Sequence, residues 1–500
     1  MEISALEQSG ASAGASDACL VVPAYENEFP LKSLAMPEGA AAVLQSLADQ
    51  QVLTGKAQSC YYLPTPLDQV KGVLVLGLGA REKCAAETVR RAAGVAAGLL
   101  KQHKMQKVCL DLVQFPELPP AAFVEGVMLG QYTFDVYKKN GDEPRPDGAV
   151  RELVLLLGQG RDTEAAVSGA RRAAMIAVGV NSARQLANTA ANDLTPAVLA
   201  EMAERMLGEN GCACTVLDEN EMAGLGMNAL LGVAKGADNP PRLILAEYRH
   251  PEASRTVVVA GKGVCFDSGG LSIKPAQNMH EMKFDMCGAA AALAALMTAA
   301  QLAPKLNIIA VVPAVENKTG SRAQTPGDIV RACNGKTIEV QNTDAEGRLI
   351  LADAMAYAAE KYKPDMMVDL ATLTGACVVA LGHTAAGVMG TDDALVDALI
   401  QAGEETGDRL WKFPLWEDYQ KMIEGEHADL CNIGPGREAG AIMGGVFLRH
   451  FTGGVPWAHI DIAGVSYGVK NAPHLPAKYA TGFGVRLLLR WFDAVAGETA

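Results

Sequence analysis

Two carboxylates and a guanidinium stand close together in the octapeptide NTDAEGRL at residues 342–349. Asp344, Glu346 and Arg348 occupy alternate positions directly after the β-like run Lys336–Gln341. In extended backbone, alternate side chains point to the same side, so this spacing predicts that the three groups converge at the end of a strand. Two anionic oxygen ligands beside a fixed cation are what a hydrolytic metal site requires.

A second polar stretch, GKGVCFDSGGLSIKP at Gly261–Pro275, follows the predicted strand Thr256–Ala260. Ligands of α/β sheets bind outside the carboxyl ends of the strands, and we predict that Lys262 and Asp267 lie just past this end. A lysine ligates a metal only when neutral, so a divalent cation must displace a proton whose ordinary pKa is about 10.4. The alternatives are a surface lysine or a salt bridge for Lys262, and a plain turn around Asp267.

Asp285, in the stretch MKFDMCG before an Ala-rich helix, has two interpretations. Taken alone it is predicted to cap the helix, and taken with the other acidic groups it is a candidate metal ligand. No HExxH motif occurs and none of the eight histidines pairs at ligand spacing, which excludes a His-ligated zincin. Oxygen-rich ligands favour harder ions such as Mn²⁺ or Mg²⁺.

Alternating strands and helices must position these groups. The length of 500 residues exceeds one ordinary core, so two or three domains are expected. Short apolar runs alternating with helical stretches predict an α/β fold with a mainly parallel, covered sheet in the first part. Predicted strands are 18–23, 72–78, 107–113, 153–157, 243–247, 256–260, 307–313, 337–341, 366–370, 387–390 and 458–462. Predicted helices are 87–102, 163–191, 289–301, 350–362 and one that begins at Thr195–Pro196, with Thr as N-cap and Pro at the first helical position.

Composition narrows the class of protein. The formal net charge of −14 argues against a chain-wide basic footprint for nucleic acid. Met1–Asp17 lacks the basic and apolar regions of a signal peptide, and the apolar segments are too short to span a membrane. Eleven scattered cysteines without a CxxC pair predict reduced thiols in a cytosolic protein.

Three stretches together resemble the leucyl aminopeptidases of the M17 family, most nearly the bacterial aminopeptidase A proteins. They are Gly261–Pro275, MKFDMCGAAA at Met282–Ala291, and NTDAEGRLILADA at Asn342–Ala354. The resemblance implies an N-terminal macro-like α/β domain at 1–165 and a linking helix at 166–191. A catalytic α/β/α zinc-peptidase-like domain with a mixed central sheet would follow at 192–500.

The resemblance also implies two divalent metal ions per subunit, Mn²⁺ or Zn²⁺, with Mg²⁺ or Co²⁺ as further options. Asp267 and Glu346 would bridge the metals, and Asp344 would complete the more exchangeable site. The implied ligands are Lys262, Asp267, Asp285, Asp344 and Glu346.

The implied reaction is hydrolysis of the N-terminal peptide bond by a water activated between the two metals. Lys274 would stabilise the oxyanion, and Arg348 would hold a bicarbonate ion that acts as general base. An apolar first-residue pocket discriminates weakly between side chains, so broad specificity with Leu or Met preferred is expected. The implied substrate-binding residues are Met282, Asn342, Ala345, Thr372, Leu373 and Gly375.

Two alternatives stay open. One is a cytosolic hydrolase of the same fold that is restricted to dipeptides. The other is an additional DNA-binding or regulatory role, as in some bacterial relatives, although no helix-turn-helix or basic arm is present. The resemblance further implies a cytoplasmic homohexamer that acts on peptide substrates and needs no membrane.

Overall fold

The computed structural model describes residues 1–7, 17–29, 36–67, 70–138, 148–470 and 472–497. The chain forms two compact units, of which the first comprises Met1–Val178 with Lys470–Ala477. The second comprises Gly179–Val469 with Lys478–Ala500. Residues 8–16 lie outside the described residues. They belong to the segment Met1–Asp17, which the sequence predicts not to be a signal peptide.

The first unit contains a six-stranded sheet between helices. In chain order its strands are β1 (Glu2–Glu7), β2 (Cys19–Ala24), β3 (Cys60–Leu67), β4 (Val70–Gly77), β5 (Lys107–Asp111) and β6 (Glu152–Leu157). Its helices are α1 (Glu38–Asp49), α2 (Ala86–Gln102) and α3 (Pro120–Gly130). The strand order is β1-β6-β5-β2-β4-β3, and every neighbouring pair is parallel except β3 with β4. Apolar clusters lie on both faces, which confirms the predicted covered, mainly parallel sheet.

The sequence pattern does not indicate β3, because it contains Pro64 and Pro66. Proline cannot donate to a ladder and is confined to edge strands, and β3 is at the edge of the sheet. Helix α4 (Thr163–Asn188) confirms the predicted long helix but ends before Ala191. The division between the two units falls inside α4. The boundaries at 165 and 191 stay predictions.

The second unit contains a nine-stranded mixed sheet and a separate three-stranded sheet. Its strands are β7 (Ala213–Leu217), β8 (Arg242–Tyr248), β9 (Thr256–Gly261), β10 (Gly263–Asp267), β11 (Asn307–Asn317), β12 (Asp328–Arg331), β13 (Thr337–Val340), β14 (Met366–Ala371), β15 (Ala386–Gly390), β16 (Leu410–Lys412), β17 (Leu430–Cys431) and β18 (Trp457–Asp461). The large sheet has the order β16-β15-β18-β14-β9-β11-β8-β7, and β12, β13 and β17 form the small sheet. At the centre β18, β14, β9 and β11 are parallel, so their carboxyl ends share one edge.

Helices of the second unit are α5 (Pro196–Gly208), α6 (Glu219–Gly224), α7 (Asn228–Ala234), α8 (Cys287–Leu302), α9 (Glu346–Tyr362), α10 (Gly375–Leu381), α11 (Asp393–Thr406), α12 (Gly440–Leu448) and α13 (Val485–Ala496). The Thr195 hydroxyl accepts a hydrogen bond from Val198 N, which confirms the predicted cap. One described stretch, Met279–Leu302, is long and apolar enough to cross a membrane, but 83% of its apolar window is buried, as expected of a core helix.

The long strand β11 pairs with two successive segments of chain. Its first half, Asn307–Val311, lies parallel to Thr256–Ala260, and its second half pairs with β10. Lys262 is the single residue between β9 and β10, and Asp267 is the last residue of β10. The prediction holds for Lys262, which directly follows β9, and is wrong for Asp267, because a second short strand intervenes.

Candidate active site

Polar side chains from four parts of the second unit surround one cavity of about 430 Å³ at the carboxyl edge of the central strands. Lys262 comes from the β9–β10 junction and Asp267 from the end of β10. Asp285 precedes α8, and Glu346 is the first residue of α9. Residues up to 84 positions apart, from Lys262 to Glu346, are thus brought to a single place, as expected at the carboxyl ends of parallel strands.

Lys262 is buried in a ring of oxygen atoms. Its Nζ lies 2.7 Å from Asp285 Oδ2 and 2.8 Å from Glu346 Oε1, and it donates a hydrogen bond to the Thr372 carbonyl at 2.8 Å. Burial by itself lowers the pKa of Lys262, but the Asp285, Glu346 and Asp267 carboxylates raise it above the ordinary value. Lys262 is therefore paired with carboxylates and the surface interpretation is wrong, whereas its role as a metal ligand stays a prediction.

Glycines make room for this lysine. A Cβ on Gly347 would lie 2.5 Å from Lys262 Cε, so the glycine of the NTDAEGRL octapeptide leaves space for the lysine side chain. A Cβ on Gly288 would lie 2.0 Å from the Leu370 carbonyl, where α8 approaches β14. A side chain at position 347 would displace the end of Lys262, and one at position 288 would push α8 away from the backbone of β14.

Lys274 is the second cation of the cavity. Its Nζ lies 2.6 Å from Asp267 Oδ2 and contacts Asp344 Oδ1. Burial by itself lowers the pKa of Lys274. The carboxylates of Asp267, Glu346 and Asp344 outweigh this effect and raise the pKa above its ordinary value. Lys274 is less buried than Lys262, with 21% of its side chain exposed.

Four carboxylates face these two ammonium groups, so the cluster carries excess negative charge. Single oxygen atoms of Asp267, Asp344 and Glu346 lie within 4.8 Å of one another. Burial and the Glu346 carboxylate raise the pKa of Asp267 to about 6. Glu346 Oε2 is buried without a hydrogen-bond partner, which is costly unless something else binds there.

Asp285 does not cap the helix that follows it. The N-cap of α8 is Met286, and no side chain caps that helix. Asp285 Oδ1 instead accepts hydrogen bonds from Lys262 Nζ at 2.8 Å and from the Thr372 hydroxyl at 2.6 Å. The capping prediction is wrong because these long-range partners take the carboxylate. By contrast, Asp267 Oδ1 accepts from Gly269 N at 2.9 Å, so the predicted turn is present.

Arg348 does not join the other two groups of the octapeptide. Helix α9 begins at Glu346 with Ala345 as N-cap, so the extended geometry behind the predicted alternation ends there. Residues two apart on a helix point about 200° apart. Arg348 donates to the Asn432 carbonyl at 2.8 Å, and it is absent from the described residues that line the cavity. The predicted convergence holds for Asp344 and Glu346 and is wrong for Arg348.

Arg348 is nevertheless buried, with 6% of its surface exposed. Its Nε has no hydrogen-bond partner. Burial lowers the pKa of Arg348, against the opposing effects of Glu346 and Asp461.

The predicted substrate-binding residues separate into two groups. Met282, Thr372, Leu373 and Gly375 line the cavity, whereas Asn342 and Ala345 are not among its described lining residues. Asn342 instead shapes the turn before α9, because its Oδ1 accepts from Asp344 N at 2.8 Å.

Further lining residues were not predicted, among them Met279, Glu281, Val378, Ala463 and Tyr467. Met279 and Met282 stand three apart in the 3₁₀ helix Met279–Phe284, a spacing that places them on one face. Ala463 and Tyr467 follow β18, so the strand-end rule applied to the predicted strand 458–462 would have found them.

The fold, and the polar groups at the carboxyl edge of its central sheet, define an α/β enzyme with a carboxylate-rich site. Comparison with known proteins supports this class. The cytosol aminopeptidase family matches with its catalytic domain over residues 181–489 and with its N-terminal domain over 21–141. A probable cytosol aminopeptidase of Geobacter sp. (strain M21) is 44% identical over 479 residues, covering 94% of this chain and 96% of the relative. One of Acidithiobacillus ferrooxidans is 44% identical over 495 residues, covering 96% and 97%.

Among solved structures, the bottromycin maturation enzyme BotP in complex with Mn is similar, with a TM-score of 0.84 and 29% identity. The match covers 96% of this chain and 100% of that chain. The chain therefore belongs to the cytosol aminopeptidase family, M17. The expected fold class is confirmed as an N-terminal macro-like α/β domain and a catalytic α/β/α zinc-peptidase-like domain with a mixed sheet.

Proposed function

We propose that this aminopeptidase removes the N-terminal residue of peptides with broad specificity, Leu and Met preferred, by means of two divalent cations. The observation that carries the proposal is the excess of carboxylates in the cavity, together with the partnerless Glu346 Oε2. A buried carboxylate oxygen without a donor is stabilised when it ligates a cation.

The donor set fits such cations. The Lys262 and Lys274 ammonium groups each lie between two carboxylates, so positive charge is already required at two places. We propose that Lys262 and Asp285 would hold one ion and Asp344 the other, with Asp267 and Glu346 contributing a carboxylate to both sites. Oxygen donors favour Mn²⁺ or Mg²⁺, and the family resemblance adds Zn²⁺ and Co²⁺. Bound there, the cations would supply a water of lowered pKa and polarise the scissile carbonyl.

Lys274 is the proposed donor to the tetrahedral oxyanion. The neighbouring carboxylates keep its pKa high, so the side chain stays protonated and can donate at neutral pH. Partial exposure leaves its end accessible to a substrate that enters the cavity. A preorganised charged donor of this kind stabilises charge that develops only in the transition state.

Arg348 is the proposed holder of a bicarbonate ion, which would supply the general base. The support is its buried Nε without a partner, since an anion would satisfy this donor. The Asn432 carbonyl orients the other end of the guanidinium.

The first residue of the peptide would bind in the apolar part of the cavity. Met282, Leu373 and Gly375 support this placement because they line the cavity beside the carboxylates. We also propose contacts from Thr372, Asn342 and Ala345. The expected assembly is a cytoplasmic homohexamer, and the domain boundaries 1–165, 166–191 and 192–500 stay part of the proposal. The dipeptide-only and DNA-binding alternatives stay predictions that no described feature favours.

The test is turnover before and after metal removal. Chelated protein should lose hydrolysis of Leu-p-nitroanilide and regain it with Mn²⁺, and longer peptides should be shortened from the amino end. Activity that survives complete chelation would refute metal dependence. Cleavage of Cys-Gly alone would favour the dipeptide alternative. A mobility-shift assay at rising salt would test DNA binding.

A further inference from the structure

Part of the cavity lining, which we call the wing, consists of Met279, Glu281, Met282, Val378 and Tyr467. Its walls are the side chains of Met279, Met282, Val378 and Tyr467, which are apolar along most of their length. The Tyr467 ring is fixed by stacking on Phe284, with ring centroids 4.7 Å apart and planes 21° from parallel. A long, flexible aliphatic chain would pack well against thioether and aromatic surfaces.

One carboxylate also lines this wing. Glu281 belongs to the 3₁₀ helix Met279–Phe284, four residues before Asp285. Within the described ranges, no Lys, Arg or His forms an ion pair with Glu281, in contrast to the acidic groups of the main cluster. The neighbouring lysine, Lys283, donates instead to the Asn188 carbonyl at 2.8 Å. Glu281 is therefore a carboxylate of the cavity lining without a salt-bridge partner in the described part of the chain.

The charge of Glu281 affects the phenol group of Tyr467. Burial, and then the Glu281 carboxylate, raises the pKa of Tyr467 to about 12, so the phenol stays neutral at physiological pH. A neutral tyrosine ring attracts a cation through its face. The wing thus combines apolar side chains, an aromatic ring and a carboxylate that forms no salt bridge with the described residues.

We infer that this wing is a specificity site for N-terminal residues with a long aliphatic stem and a cationic end, Lys or Arg, whose charged group binds Glu281. The inference rests on the proposed function and deepens it. Leu and Met would use the apolar walls only, whereas Lys would add a charge interaction. An N-terminal Glu would meet Glu281 as a like charge and should be disfavoured.

Norleucine isolates the charge, because it offers an aliphatic side chain without the ammonium group of lysine. We would measure kcat/KM for Lys-, norleucine- and Glu-p-nitroanilide with the Mn²⁺-loaded protein. The Glu281→Gln variant should lower the Lys-to-norleucine ratio about tenfold, as expected for loss of a hydrogen bond to a charged group. In the Glu281→Lys variant, kcat/KM should become higher for Glu-p-nitroanilide than for Lys-p-nitroanilide. Glu201→Gln, on the exposed side of α5, is the matched control and should leave the ratio unchanged.

A second readout separates this inference from the proposed function. Calorimetry would compare the binding of lysinamide and norleucinamide by the wild-type protein and by Glu281→Gln. A Lys preference in binding that Glu281→Gln removes supports the site even if no substrate is turned over, a result that would refute only the aminopeptidase proposal. An unchanged Lys-to-norleucine ratio in both readouts, with Leu-p-nitroanilide hydrolysed normally by the wild type, would overturn the inference.

Discussion

The Thr374 hydroxyl donates a hydrogen bond to Asp461 Oδ2 at 2.6 Å, which links the ends of the neighbouring strands β14 and β18. Asp461 is fully buried, and its other oxygen accepts from Leu373 N at 3.1 Å. Thr374 Oγ1 also accepts from Cys377 N at 3.1 Å and so caps α10. One carboxylate therefore holds the loop whose Thr372 contacts both Lys262 and Asp285.

Asp461→Ala is expected to loosen this loop. The variant should raise KM for Leu-p-nitroanilide more than it lowers kcat, because backbone groups of the loop lose their acceptor while the carboxylate cluster stays intact. Leaving buried donors unsatisfied should also destabilise the fold by about 1–3 kcal/mol. Steady-state kinetics, metal content and urea unfolding would measure the three effects.

Asp461→Asn retains one acceptor and should give an intermediate KM. Asp393→Ala is the control, because Asp393 is an exposed residue paired with Lys412. Equal losses of kcat and metal in Asp461→Ala would show a general structural role rather than a positioning one.

Lys274→Ala is expected to reduce kcat by about 100- to 1000-fold, as is typical when one oxyanion donor is removed. Bound metal should be retained, because the substitution removes a positive charge from between Asp267 and Asp344. Kinetics and mass-spectrometric metal analysis on the same samples would check this. Loss of metal in Lys274→Ala would move Lys274 into the ligand group.

Glu346→Gln preserves size but removes the charge of the most buried acid in the cluster. Activity should be abolished and bound metal should fall, because an amide is a much weaker ligand than a carboxylate. Asp344→Ala should act in the same direction. Glu360→Gln, at the other end of α9, serves as the control. Full activity and full metal content in Glu346→Gln would refute the ligand assignment.

His450 should make stability depend on pH. Burial, with Lys336 and Arg449 nearby, lowers the pKa of His450 to about 4. The unfolded chain binds a proton here below its ordinary pKa of about 6.5, whereas the folded chain does not until about pH 4. The contribution of His450 to stability is therefore present above pH 6.5 and lost as the pH falls towards 4.

His450→Gln should remove this part of the pH dependence. Urea unfolding at pH 7, 6, 5 and 4 would show the free energy of unfolding of the wild type falling relative to that of the variant. His427→Gln, at an exposed position, is the control. Parallel pH profiles for the wild type and His450→Gln would contradict the assignment.

Local patterns predicted most of the elements of this protein. The predicted strands 107–113, 366–370 and 458–462 correspond to β5, β14 and β18, and the Thr195 cap is present. These features depend on residues within a few positions of one another, where periodicity and capping chemistry act. The octapeptide NTDAEGRL and two further stretches were also sufficient to indicate the family.

Long-range pairing decided the rest. Strand β10 forms because its backbone pairs with the second half of β11. No local pattern in Gly263–Asp267 predicts this strand. The octapeptide does not stay extended, because a helix begins at Glu346, and Arg348 therefore points in a different direction from Glu346.

The sequence by itself determined which groups could do chemistry: two lysines, four acids and an arginine in three specific stretches. The tertiary structure decided which of them meet. Lys262 reaches the Thr372 carbonyl 110 residues away, and Glu281 shares a wing of the cavity with Tyr467. Such contacts depend on strand order and on the shared carboxyl edge of the sheet, which are properties of the folded chain and not of any local stretch.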